Sequence, residues 1–137
     1  MAALTADRDT HRRAGDEIVL PAAAAQKFYA GALVARDASG NATPGAVAAT
    51  LRGVGRCAQF VDNSGGGAGD QTVRIEKGVF RFGNSADGDL ITRADIGADC
   101  YIVDDQTVAK TNPGGNTRSV AGKVFDVDAS GVWVKFE

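Results

Sequence analysis

From Glu17 to Glu137 the chain is a succession of short alternating apolar runs, each cut off by turn residues. TVRIE (72–76) is the clearest: Val73 and Ile75 point one way, and Thr72, Arg74 and Glu76 the other, the two-residue period of a strand with one buried face. Lys77-Gly78 breaks the run, VFRF (79–82) resumes it, and VWVKF (132–136) closes the chain. EIVL (17–20) reads as a strand stopped by Pro21, and KFYAGALVAR (27–36) as one strand with a glycine inside. LRGVGRCAQFV (51–61) reads as a long strand bent or bulged at its two glycines. DCYIVDD, QTVAK and SVAGKVFDV supply three more. DASGN (37–41) carries the Asp, Asn and Gly that tolerate turn geometry, and TPGAVAAT is a small-residue connection. AAAAQ is too short, and too close to Pro21, to be a helix. TRADIG (92–97) predicts a single helical turn capped by Thr92 and ended by Gly97. About eight to ten strands at this spacing predict an all-β fold. The expected architecture is a compact β-barrel or jelly-roll-like sandwich of short antiparallel strands. With 18 glycines and a single Met, the composition favours it over a helix bundle. No internal repeat of useful length is present.

Residues 1–16 break the pattern. They are polar after Leu4, with Arg8, Arg12 and Arg13 balanced by Asp7, Asp9 and Asp16. Such a segment cannot bury itself and predicts a flexible N-terminal arm, with one β domain over residues 17–137. At 137 residues and 44% hydrophobic, the chain can build a core without metals or disulfides. Its net charge of −2 argues against direct nucleic-acid binding and against a polybasic membrane anchor. No apolar run approaches a membrane span, and MAALTADRDTHRR has no signal-peptide core, so synthesis in a cytoplasm is expected. That origin favours Cys57 and Cys100 as two buried free thiols over a disulfide.

Motifs for chemistry are weak. SGGGAG (64–69) lacks the Lys of a phosphate-binding loop, and the run after it alternates as a strand. It reads as a mobile loop joining two antiparallel strands. DVDASGVWVKFE (126–137) matches the calcium-loop pattern at Asp126, Asp128, Ser130 and Glu137, but strand-like runs flank it where helices are required, so Asp-Ala-Ser-Gly reads as a hairpin turn. Asp104-Asp105 and the Asp87/Asp89 pair read as solvated turns. The sole histidine, His11, lies in the arm, which leaves neither a nucleophile–histidine arrangement nor a zinc set on the body. No catalytic residue, cofactor or metal is expected, and the chain reads as a non-enzyme.

Contact residues are easier to nominate. Val132, Val134 and Phe136 share one face of the last strand, which puts Trp133 on the other. Phe28 and Tyr29 are adjacent, so one of them faces away from the core, whereas Phe80 and Phe82 alternate together as core. Trp133, which can alternatively pack under a loop of its own domain, and the Phe28–Tyr29 edge are therefore candidate partner anchors, a role for which aromatic residues are favoured.

The order of these parts resembles the small capsid cement, or decoration, proteins of tailed bacteriophages, encoded beside the major capsid protein. The resemblance is carried by TADRDTHRRAGDEIVLPAAAAQKFYAGALVARDASGNATPG, by GVGRCAQFVDNSGGGAGDQTVRIEKGVFRFGNS, and by ADIGADCYIVDDQTVAKT with AGKVFDVDASGVWVKF. It implies a β-rich body with an extended arm. It also implies a virion structural protein on the outer capsid surface, clamping major capsid protein subunits, with itself as a second partner in a homodimer or homotrimer. It implies no enzymatic activity. Through the THRRAGDE run it marks Thr10, Arg12 and Arg13 as capsid contacts. Two alternatives remain at this point. A carbohydrate- or ligand-binding β-sandwich module would need a concave aromatic patch, for which 7% aromatic content is thin. A metal enzyme would have to use the Asp-rich turns.

Overall fold

A computed structural model describes residues 2–137. It contains twelve strands: β1 (Glu17–Pro21), β2 (Gln26–Phe28), β3 (Leu33–Arg36), β4 (Ala42–Pro44), β5 (Arg52–Cys57), β6 (Val61–Asn63), β7 (Thr72–Glu76), β8 (Val79–Phe82), β9 (Asp99–Ile102), β10 (Val108–Ala109), β11 (Val120–Asp128) and β12 (Gly131–Lys135). One sheet has the order β1-β7-β5-β3-β4 and a second β10-β9-β11-β12-β8, while β2 and β6 form a separate pair. The strands within each sheet pair antiparallel. The fold is all-β, with packed antiparallel sheets. It is a sandwich, because each sheet ends in edge strands and no barrel closes.

The layers explain the pattern of LVAR in β3. Leu33 and Ala35 pack into a cluster with Ile91, Ile102, Val132 and Val134 of the second-sheet side. Val34, between them, points into a separate cluster with Phe28, Val61, Val73 and Ile75. All three residues are buried, so β3 is covered on both faces and shows an unbroken apolar run where a one-faced strand would alternate. The two cysteines divide between these clusters, Cys57 with Phe28 and Cys100 with Leu33; both are free and buried. Desolvation raises both thiols above the ordinary range, Cys100 to about 12.

Several runs divide differently from the sequence expectation. KFYAGALVAR is two strands, not one: Ala32 N–H donates to Tyr29 O at 3.1 Å, and the turn sends β2 to the small pair and β3 to the central sheet. LRGVGRCAQFV likewise splits at Ala58–Phe60 into β5 and β6. β4 falls within ATP, whose small residues give no alternation to detect. AAAAQ forms no helix; Ala22 bridges to Ala42. The turn at TRADIG is a 3₁₀ turn, Arg93–Asp95, where Thr92 N–H donates to Asp95 Oδ2 at 2.8 Å. The β1–β7 ladder is phased by Lys77 N–H donating to Asp16 O and Ala22 N–H donating to Gln71 O. That phase turns the nitrogen of Pro21 outward on an edge strand, where a missing donor costs nothing.

The glycine-rich segment is a correction as well. β6 and β7 do not pair, so SGGGAG is a crossover between sheets rather than a hairpin tip. It is also clasped. The buried Asn63 amide donates to Ala23 O at 2.9 Å and to Gly67 O at 3.0 Å, Gly67 N–H donates to Asp70 Oδ2 at 2.8 Å, and Gly69 N–H donates to Ala22 O at 2.9 Å. A side chain at residue 66 would overlap Asn63 Oδ1, so glycine is required there by space.

Candidate interaction surface

DVDASGVWVKF folds as the β11–β12 hairpin. Asp128 accepts from the Ser130 and Gly131 N–H groups and from Trp133 Nε1 at 2.8 Å. The Trp133 bond, with the Ser130 bond behind it, holds the Asp128 carboxyl below its ordinary range. These bonds fix the Trp133 ring on the outer face of its sheet, opposite the buried Val132 and Val134, and Arg81 stands over it at 5.6 Å. Among the described residues no three His, Cys, Asp or Glu side chains converge as a metal set, and no helix is long and apolar enough to cross a membrane.

Around Trp133 a surface assembles from three elements. The Arg56 guanidinium of β5 lies over the Phe80 ring of β8 at 4.6 Å and bonds Glu76 at 2.7 Å. Both partners of that ion pair are well exposed, so it contributes at most about 1 kcal/mol and acts mainly to orient the arginine. Gly31, Arg56, Phe80, Arg81 and Trp133 line a groove of about 370 Å³. A second depression, of about 420 Å³, lies between Tyr29–Ala32 and Asp105–Gln106, and the two meet at Gly31. Tyr29, 57% exposed, packs its ring 5.6 Å from that of Phe60, which is 54% exposed.

The nominated residues fare unequally. Phe28 is 0% exposed and packed among Val34, Val61 and Ile75, so it is a core residue and not a contact; its neighbour Tyr29 takes the outward position. Tyr29 and Trp133 line the two joined depressions. Thr10, Arg12 and Arg13 lie on an exposed arm that contains no strand. The sequence alone singles out neither Phe60 nor Arg56 nor Arg81. Phe60 sits in a run read as continuous strand, and Arg56 meets Phe80 only through the approach of two sheets, which no local pattern encodes. Phe82 is buried, while Phe80 is partly buried beside Phe136.

The acid pairs also separate. Asp104 accepts from Gln106 N–H as a turn residue. Asp89 accepts from Thr111 Oγ1 and pairs with Arg118 at 3.3 Å, so it ties two loops together rather than sitting free in solvent. The Thr111 bond holds its carboxyl low. No protein-family model, curated protein or solved structure matches the chain.

Proposed function

We propose that this chain is a non-enzymatic virion structural protein, a cement or decoration protein that binds the outside of an icosahedral phage head and stabilises contacts between major capsid protein subunits. The observation that carries this reading is the pairing of an exposed, strandless arm with a surface rich in aromatic and arginine side chains, Tyr29, Phe60, Arg56, Arg81 and Trp133. Trp, Tyr and Arg are enriched among the residues that dominate protein interfaces, because each joins a large contact area to a polar group, and Phe60 adds apolar area beside them. A footprint of standard size, about 1,600 Å² in total, supports tight binding when such anchors seat well. An arm that orders on the shell loses conformational entropy but spans a seam between subunits, and repetition on a symmetric lattice multiplies weak contacts.

Removing residues 1–14 is expected to leave the melting temperature within about 2 °C of the full chain, since the arm is exposed throughout its described length. Binding to undecorated heads should weaken by about tenfold or more. The same loss is expected for Arg12→Glu/Arg13→Glu, measured as copies bound per head after sedimentation. Full occupancy by both variants would remove the arm from the interface.

A further inference from the structure

Asp128 divides its carboxylate between two tasks. Oδ1 accepts from Ser130 N–H at 2.8 Å and Gly131 N–H at 3.1 Å, which closes the β11–β12 turn. Oδ2 takes no part in the turn and accepts from Trp133 Nε1 at 2.8 Å. An asparagine satisfies the first task equally well, because its single oxygen makes the same turn. It fails the second. With that oxygen on the backbone, the amide N–H groups face the indole N–H, donor against donor. The turn alone therefore does not account for a carboxylate at this position.

The backbone under the ring is fixed. Val132 and Val134, on either side of Trp133, are fully buried, and a Cβ at Gly131 would overlap Phe82 O, so β12 is set firmly against β8. Only the two side-chain torsions of Trp133 remain free. Asp128 holds the indole edge, and Arg81, its cross-strand neighbour, stands over the ring at 5.6 Å. Arg81 is also the charge that faces Asp128 from β8. On the strand of Asp128 itself, Asp126 accepts from Val127 N–H, and further along β12 Lys135 pairs with Glu137 at 3.9 Å.

We propose that Asp128 is the positioning residue of Trp133: its carboxylate, and not the turn it closes, sets the ring in its outward pose before any partner arrives. That a partner meets this ring rests on the function proposed above; that the carboxylate sets its pose does not. Side-chain freedom lost on association costs affinity, and a ring placed in advance avoids most of that cost. The hold depends on pH. The bonds from Trp133 and Ser130, with Arg81 opposite, keep the carboxyl below its ordinary range, so it is charged at neutral pH and the ring is held. A lowered carboxyl gives up its contribution as pH falls through its folded value, so the ring is released only below the ordinary carboxylate range.

Trp133 is the sole tryptophan, so tryptophan fluorescence and the tryptophan bands of near-ultraviolet circular dichroism report this ring alone. At neutral pH, Asp128→Asn should lose most of that dichroism and become more open to acrylamide quenching. Its melting should stay close to native, because the turn is kept. Acidifying the native chain should produce the same loss below the ordinary carboxylate range, with the far-ultraviolet signal intact, and Asp128→Asn should show no such step. On undecorated heads, Asp128→Asn should bind about two- to tenfold more weakly. Native tryptophan bands in Asp128→Asn, or an acid step that this variant keeps, would overturn the hold. A variant with lost bands and native head binding would overturn its part in recognition. Trp133→Ala separates that case from a failure of the functional reading: if it too binds heads as the native chain does, the ring is not a contact.

Discussion

Gly53→Ala should be among the most damaging single-methyl changes the chain can receive. Near the start of β5, a Cβ at this position would sit 2.7 Å from Ala121 Cα and closer still to the Ala121 carbonyl, where the central sheet meets β11. The obstacle is the Ala121 backbone, so no side-chain rotation relieves it and the sheets must move apart. Strand propensity alone predicts the opposite sign, a gain of roughly 0.5–1 kcal/mol for replacing glycine with alanine. Overpacking of this kind costs about 3 kcal/mol or more and should win. Gly15→Ala, with nothing within 4 Å, is the control and should stay within about 0.5 kcal/mol of the native chain. Chemical denaturation of the two variants separates the cases. Equal midpoints would mean that the sheets do not approach as described.

Phe28→Ala is the second large effect. The ring is fully buried in the cluster that joins the β2–β6 pair to the central sheet, and nothing smaller fills that volume. The lost burial and the residual cavity together cost about 3–5 kcal/mol, a fall in melting temperature of roughly 10 °C or more for a chain of this size. Tyr29→Ala should do the reverse. Its ring is exposed, so stability should change by less than about 1 kcal/mol while partner binding weakens. The two adjacent substitutions thus distinguish a core residue from a contact. A Phe28→Ala chain that melts normally but binds poorly would return Phe28 to the interface.

That adjacency marks how far the residues could be read in advance. Alternation guarantees that Phe28 and Tyr29 point to opposite sides, but it says nothing about which side is the core. That depends on β6 lying against β2, a pairing set by Val61 and Asn63 far along the chain. Where one strand carries its own strong pattern, the reading succeeds. TVRIE buries Val73 and Ile75, and VWVKF buries Val132 and Val134 with Trp133 turned out. Where coverage is two-sided, as in Leu33-Val34-Ala35, periodicity disappears, and nothing in KFYAGALVAR distinguishes the break at Gly31 from a glycine within a strand. Clasping of the glycine-rich crossover depends on the Asn63 amide reaching Ala23, and no rule for hairpin loops anticipates it. The interaction surface was half visible for the same reason. Trp133 follows from its own strand, whereas Arg56 stacked on Phe80 requires two sheets to meet.

The claim that this chain acts by holding other subunits together is tested most directly on undecorated phage heads assembled from a major capsid protein. The purified chain should sediment with undecorated heads, saturate at a fixed number of copies per particle, and raise the temperature at which the heads break open. A correctly folded chain that stays in the supernatant at every concentration, with the rupture temperature unchanged, would contradict it.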